Sequence, residues 1–188
     1  NRPKMSLLFL LLLSPAPMIA ATPLQISYFF VDRSQYLAHA WPPGLRLMLD
    51  AYETAAKDAR VAINTTVYDY ETARSVVEAA DADLLVYWDR VNLNYATVLS
   101  NLLRYAVLFA RGGVYHDLKH WLPKPALEEL VSRLDTHDII LEENPSRDPS
   151  TDNRKMRNTN MAAARPGLRY FETCLAEMKE KLRRIDTD

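Results

Sequence analysis

One stretch of the chain, residues 100–119, reads SNLLRYAVLFARGGVYHDLK and indicates how the chain folds. Around it, apolar residues recur at helical spacing over positions 99–110, which predicts an amphipathic helix. Gly112 and Gly113 end this helix, because two glycines permit a tight reversal of the backbone. A short strand follows at once and delivers Asp117 to a loop. A helix that leads directly into a strand is typical of α/β folds.

The same alternation extends from this stretch toward both ends of the chain. Further strands are predicted at 26–31, 60–68, 138–142 and 160–164, and further helices at 45–56, 73–80, 125–134 and 168–182. The polar residues 143–157 predict a loop. Alternating strands and helices predict an α/β domain whose mostly parallel central sheet is flanked by helices. Such sheets bind ligands beyond the carboxyl ends of their strands, where Asp117 is expected to lie.

The composition is that of a globular protein with a single domain. The chain has 188 residues, of which 48% are hydrophobic and 25% charged. Its net charge of −1 provides no positive field for binding nucleic acid, so nucleic acid is not an expected partner. Cys174 is the single cysteine, which excludes an intrachain disulfide.

The first 21 residues predict a targeting segment. An apolar run at 7–13 is followed by two prolines and small residues, a pattern typical of a signal peptide. A signal-anchor is the alternative, and in that case the chain meets a membrane only through this segment. Residues 22–188 then form the folded domain in the secretory pathway. Asn64-Thr65-Thr66 is an N-glycosylation acceptor pattern and agrees with this route.

Two sets of polar side chains flank the double glycine. The predicted helix carries three at spacings of three and four residues, namely Asn101, Arg104 and Tyr105. The strand and its continuation carry three at alternate positions, namely Tyr115, Asp117 and Lys119. Such a polar cluster can hold a sugar by hydrogen bonds, and an arginine in it can face a diphosphate. A structural ion pair between Arg104 and Asp117 is the alternative interpretation.

This segment resembles the sugar-binding region of the DXD glycosyltransferases, which include initiating α-1,6-mannosyltransferases and α-1,4-galactosyltransferases. The matching positions are Ser100, Arg104, Tyr105, Gly112, Gly113, Tyr115 and Asp117. Residues 160–167 look like the family's later Asn…Ala…Pro-Gly stretch. The resemblance implies a glycosyltransferase-A-like domain that takes a UDP- or GDP-linked sugar and transfers it, with retention, to a glycan or glycolipid. It also implies a place in the Golgi lumen or membrane, or secretion, and further C-terminal segments with metal and acceptor contacts.

The resemblance also implies roles for individual residues. Donor binding is expected from Trp41, which would stack on the base, and from Asn101, Arg104, Tyr105, Gly112, Gly113, Tyr115 and Asp117. Asp117 and Lys119 are the expected catalytic residues. Trp88 and Trp121 are interpreted as packing residues, His116 as a surface or packing residue, and Cys174 as a core thiol.

Two positions depart from the family pattern. Lys119 stands where the second acid of the DXD motif is expected, and Asn101 stands where an acid follows the initial serine. The family's acids contact the nucleotide sugar and a divalent ion, usually Mn²⁺, for which Asp117 is the remaining ligand candidate. Lysine is not a metal ligand, but its ammonium can replace the metal's charge beside the diphosphate. The sequence therefore predicts either transfer without a metal cofactor or a catalytically degenerate relative that still binds a nucleotide sugar or a glycan.

Overall fold

The computed structural model describes residues 22–30, 43–92, 96–118, 120–143 and 156–185. The strands are β1 (Leu24–Phe29), β2 (Ile63–Tyr68), β3 (Gly113–His116), β4 (Ile139–Glu143) and β5 (Met156–Ala163). The helices are α1 (Pro43–Ala59), α2 (Tyr70–Ala80), α3 (Leu85–Trp88), α4 (Ala96–Arg111), α5 (Lys124–Leu134) and α6 (Arg169–Ile185), with a 3₁₀ turn at Ala82–Leu84. The targeting segment, Trp41, Lys119 and most of the predicted loop 143–157 lie outside the described residues.

The strands form one sheet in the order β2-β1-β3-β5-β4. Strand β1 is parallel to β2 and β3, as the alternation of strands and helices predicts. Strand β5 is antiparallel to both of its neighbours, so the sheet is mostly but not wholly parallel. The direction of β5 was not predictable, because an apolar run carries no sign of direction. The α/β class and the single domain are confirmed.

Helices cover both faces of the sheet. Helices α2, α4 and α6 pack on one face, and α1 and α5 pack on the other. The alternation of side chains along β3 joins the two cores, since Val114 belongs to the α1/α5 core and Tyr115 to the α4 core. Strand β3 therefore lies between the two cores, and Asp117 follows directly from it.

The double glycine connects α4 to β3 in a way that no other residue type allows. Gly112 has φ +67° and Gly113 has φ +82°. A Cβ on Gly112 would lie 2.9 Å from the backbone carbon of Arg165, and a Cβ on Gly113 would overlap the carbonyl oxygen of Gln25. Both the conformation and the close approach require glycine. The turn thereby fixes β3 against β1.

Several local predictions are confirmed and others need correction. Asp69 is a residue type that favours the start of a helix, and it caps α2, where its carboxylate accepts a hydrogen bond from the Thr72 amide. Strand β2 begins at Ile63 rather than at position 60, because Arg60 has φ 56° in the turn that ends α1. Trp88 is fully buried, as predicted.

Two side chains are more accessible than the sequence suggested. Trp121 is 43% exposed and is not a core residue. Cys174 is half-buried, and burial raises the pKa of its thiol, which keeps it protonated and unreactive near neutral pH. None of the helices in the described part of the chain is both long enough and apolar enough to cross a bilayer.

Candidate functional site

Asp117 is the first residue after β3 and lies at the carboxyl end of that strand. Helix α4 brings Arg104 beside it, with 3.3 Å between guanidinium Nη2 and carboxylate Oδ1. The Arg104 side chain is only 6% exposed, whereas that of Asp117 is 25% exposed. The pair therefore has a buried cationic end and an anionic end that solvent or a ligand can reach.

Ser100 and Tyr115 complete the surroundings of this pair. The hydroxyl groups of Ser100 and Tyr115 are 2.8 Å apart, and Arg104 Nη2 lies 3.5 Å from Ser100 Oγ. The guanidinium carbon is 5.3 Å from the centroid of the Tyr115 ring, a cation–π contact. Burial raises the pKa of Tyr115 to about 12, so its hydroxyl stays protonated. We call Ser100, Arg104, Tyr115 and Asp117 the polar cluster.

The ion pair gives the polar cluster a structural role as well. A buried guanidinium needs a partner charge, because an unpaired charge in a low-dielectric interior is strongly unfavourable. Asp117 supplies that charge from the neighbouring strand end. The alternative that the sequence left open, an Arg104–Asp117 ion pair, is thus present in the structure. It is compatible with ligand binding, since a carboxylate has several acceptor positions and one guanidinium does not occupy them all.

Two predicted helix residues lie away from the polar cluster. The Tyr105 ring packs against Phe171 of α6, with 6.5 Å between the ring centroids. Asn101 is exposed and lines a shallow groove with Met178 and Leu182 of α6. Helical geometry explains this, since successive residues are 100° apart and positions 101 and 105 lie one step around the helix from 100 and 104. Asn101 and Tyr105 share a helix face, as their spacing of four residues predicts, but that face meets α6 and is not the face that carries Arg104.

The remaining predicted donor residues divide into two groups. Gly112 and Gly113 lie at the amino end of β3, whereas Asp117 follows its carboxyl end, so the glycines shape the backbone. Trp41 and Lys119 lie outside the described residues. The structure therefore brings together Arg104, Tyr115 and Asp117 of the predicted set, and adds Ser100.

Sequence reasoning missed a buried hydrogen-bonded chain on the opposite face of the sheet. His116 is 1% exposed, its Nδ1 lies 2.8 Å from Oδ1 of Asn160 on β5, and its Nε2 lies 3.5 Å from the Tyr52 hydroxyl. Since an amide oxygen only accepts, Nδ1 of His116 is the donor to Asn160. This arrangement links α1, β3 and β5 immediately before Asp117. The sequence did contain a signal for the burial of His116, because side chains alternate along β3. This alternation turns His116 away from Asp117 and into the core on the other face of the sheet.

The same face holds the turn that follows Asp117. The Tyr28 hydroxyl donates to the carbonyl of His120 over 3.3 Å, and the amide of His120 donates to the carbonyl of Asp117 over 2.9 Å. Burial raises the pKa values of Tyr28 and Tyr52 well above their usual range, so both remain donors. Asp117 is therefore held by Arg104 on one face of the sheet and by this turn on the other.

A cavity of about 450 Å³ lies on this second face, between α5 and the sheet. His116 and Asn160 line it at one end, and Leu130 and Ile140 form part of its apolar wall. Its volume is in the range of cavities that hold small ligands.

The described residues around Asp117 do not fit a divalent metal ion. A hard cation such as Mn²⁺ is bound by several oxygen ligands. Within the described ranges no three His, Cys, Asp or Glu side chains lie close enough together to hold an ion. The Asp117 carboxylate already faces a guanidinium at 3.3 Å, which would repel a second cation. The polar cluster holds one carboxylate paired with a buried guanidinium, whereas a metal-dependent site presents several oxygen ligands.

Comparison with known families identifies the region that contains this cluster. Residues 42–144 match the family described as the glycosyltransferase sugar-binding region containing the DXD motif. The chain belongs to this family. The matched residues run from the start of α1 to just beyond β4, and so include the whole polar cluster as well as Tyr52 and His116. No curated protein matches the chain.

Proposed function

We propose that the chain binds a UDP- or GDP-linked sugar at the polar cluster and transfers that sugar, with retention, to a glycan or glycolipid acceptor. The observation that carries the proposal is the Arg104–Asp117 pair at the carboxyl end of β3, within the family's sugar-binding region. Open α/β sheets bind their ligands at this edge. We also propose that residues 1–21 direct the chain to the secretory pathway, to the Golgi lumen or membrane or to the exterior.

In this proposal Asp117 accepts hydrogen bonds from ribose and sugar hydroxyls. Its 25% exposure leaves carboxylate oxygen accessible while Arg104 fixes its position. The hydroxyl of Ser100 lies beside the guanidinium and can exchange hydrogen bonds with the same sugar, while the buried Tyr115 hydroxyl holds Ser100 in place. Hydrogen bonds to charged groups are the strong ones, so Asp117 is expected to contribute most of the binding energy.

Positive charge at this edge is the proposed source of catalysis. As the acceptor hydroxyl attacks the anomeric carbon on the face that the diphosphate leaves, the bond from that carbon to the diphosphate oxygen breaks and the leaving diphosphate gains negative charge. The proton of the attacking hydroxyl passes to a departing phosphate oxygen. Fixed cations aimed at that charge lower the barrier because they need no reorganisation. Lys119, two residues after Asp117, is the proposed cation, whereas Arg104 is buried, is neutralised by Asp117 and positions that carboxylate. Transfer is accordingly expected to need no divalent ion.

A binding protein without transferase activity is the second candidate. It is favoured by the same ion pair, because a carboxylate held by Arg104 and followed by lysine at position 119 lacks the paired acids of the DXD motif. The two candidates share donor binding and differ in turnover.

A panel of UDP- and GDP-sugars, read by thermal unfolding with and without Mn²⁺, tests the proposal. Ligand at 100 times its dissociation constant stabilises a protein by about 2.7 kcal/mol, or roughly 5–10 °C for a domain of this size. We expect at least one sugar nucleotide to stabilise the chain equally in Mn²⁺ and in chelator. Release of free nucleotide in the presence of glycan or glycolipid acceptors then separates the transferase from the binding protein. Absence of stabilisation by every member of the panel contradicts both.

Lys119→Asp isolates the role of the lysine. If its charge replaces that of a metal, the substitution makes donor binding dependent on Mn²⁺, since it restores the second acid. Strong dependence on Mn²⁺ in the unsubstituted chain would instead show that other oxygens hold an ion.

A further inference from the structure

We propose that Asn64 is an N-glycosylation site of this chain, and that the attached glycan covers the outer strand of the sheet at the end away from the polar cluster. The acceptor pattern is Asn64-Thr65-Thr66, with a middle residue that is not proline. The inference rests on the luminal localisation proposed above and is independent of the catalytic assignment.

The fold places this triplet where a glycan can be accommodated. Asn64 is the second residue of β2, and its side chain is exposed. Strand β2 is an edge strand of the sheet, and no described strand pairs with its outer side. Because alternate residues share a face, the Thr66 side chain lies on the same face of the strand as Asn64. A sugar on Asn64 would therefore extend into solvent from the margin of the sheet.

The hydrogen bonding of the amide is compatible with attachment of a sugar. Nδ2 of Asn64 donates to Oε1 of Gln25 on β1 over 2.9 Å. A primary amide nitrogen carries two hydrogens, and glycosylation replaces one of them. The remaining hydrogen can still donate to Gln25. The modified residue can thus keep this side-chain contact, which supplements the backbone pairing of β2 with β1.

The covalent step uses the cell's own glycosylation machinery and a lipid-linked donor. The co-reactant is an oligosaccharide carried on a polyprenyl diphosphate in the secretory lumen. A bond forms between Nδ2 and the anomeric carbon, and the bond from that carbon to the diphosphate oxygen breaks. One amide proton passes to the base of the transferring enzyme, and the lipid diphosphate leaves.

The glycan would leave the proposed donor site open. The strand register pairs Asn64 with Gln25 and Ser27 with Tyr115, so Asp117 lies about four residue levels further along the sheet than Asn64. At ~3.3 Å per residue this is about 13 Å, with two strand spacings of ~4.8 Å across the sheet in addition. A glycan at this position also covers backbone groups of an outer strand, which otherwise invite pairing with another chain.

Expression of the full chain in a eukaryotic secretory host tests the proposal. We expect the purified protein to migrate faster in gel electrophoresis after treatment with peptide-N-glycosidase. Mass spectrometry of its peptides should then show that Asn64 has been converted to aspartate. Asn64→Gln and Thr66→Ala should both abolish the shift, because one removes the amide and the other the essential hydroxyl. Thr66→Ser should retain it, and Thr65→Ala is the matched control on the same strand that should also retain it.

In a second experiment, residues 1–21 are replaced with the cleavable leader of a well-secreted protein. This distinguishes entry of the chain into the secretory pathway from glycosylation of Asn64. A chain that is secreted in this experiment without a glycan overturns the proposal. A glycan found only in this experiment overturns it for the natural chain and assigns the failure to residues 1–21. Asn64→Gln should bind nucleotide sugar as the unsubstituted chain does, so failure of the glycan and failure of the proposed function are distinguishable.

Discussion

Replacing Asp117 by Asn should destabilise the fold, because Asp117 is the counter-charge of a guanidinium that is only 6% exposed. Breaking a fully buried ion pair costs about 3–5 kcal/mol, and losing a hydrogen bond to a charged group costs about 1.5–3 kcal/mol. The Asp117 side chain is 25% exposed, and Asn retains an oxygen that can accept from Nη2. We therefore expect a loss of about 1–3 kcal/mol, which corresponds to roughly 2–12 °C in Tm.

A double-mutant cycle separates the pair from its surroundings. Arg104→Met removes the buried charge and releases Asp117 to solvent. The double variant should then be about as stable as Arg104→Met alone, with a coupling free energy above ~1 kcal/mol. Urea unfolding followed by circular dichroism measures each variant, and the m-values should agree within error.

The Arg165–Asp138 pair is a matched control, because its Nε–Oδ1 distance is also 3.3 Å but its side chains are 63% and 59% exposed. The same cycle with Arg165→Met and Asp138→Asn should give about 0–1 kcal/mol. Equal coupling in the two pairs, or additive losses at Arg104 and Asp117, would refute the reasoning that burial makes the first pair strong.

Three further predictions concern the fold around the site. Gly113→Ala should destabilise the protein more than Gly167→Ala, because both glycines have positive φ but only Gly113 lacks space for a Cβ; equal Tm losses would argue against this. Asp69→Ala should cost about 1 kcal/mol in urea unfolding at neutral pH. The pKa of Asp69 is lowered by hydrogen bonds from Thr72, so the contribution of Asp69 to the free energy of unfolding is present above the unfolded pKa of ~3.9 and is lost as the pH falls through the folded pKa. A stability difference between Asp69→Ala and the unsubstituted chain that stays the same in acid would contradict this. His116→Asn should retain more stability than His116→Ala in the same assay, since an Asn amide can still donate to Asn160, and equal losses would contradict the hydrogen-bonded chain.

The order of helices and strands was predictable because each element carries its own periodic or capping signal. Helix α4, the double glycine and β3 follow one another as the spacing of apolar residues indicates. The short α3 was not predicted, since four residues are too few to establish a helical period. The antiparallel pairing of β5 depends on contacts distant in sequence, which local patterns do not encode.

The polar cluster was predictable in part for a similar reason. Alternation along a strand correctly placed Tyr115 and Asp117 on one face, since both contact Arg104. Spacing along a helix did not determine which neighbours its faces meet, and Asn101 and Tyr105 turn toward α6. The role of a helix face depends on what packs against it, and that is a property of the tertiary fold.

Calorimetric titration of a nucleotide sugar into the unsubstituted chain and into Asp117→Asn tests the central claim most directly. The matched control is Asp58→Asn, which changes an exposed carboxylate on α1, and all titrations are run well below the lowest Tm, in Mn²⁺ and again in chelator. We predict that Asp117→Asn weakens binding by at least tenfold, or about 1.4 kcal/mol, that Asp58→Asn leaves the affinity unchanged, and that Mn²⁺ affects neither. Unchanged affinity in folded Asp117→Asn would contradict the account, because it would show that Asp117 serves only to neutralise Arg104.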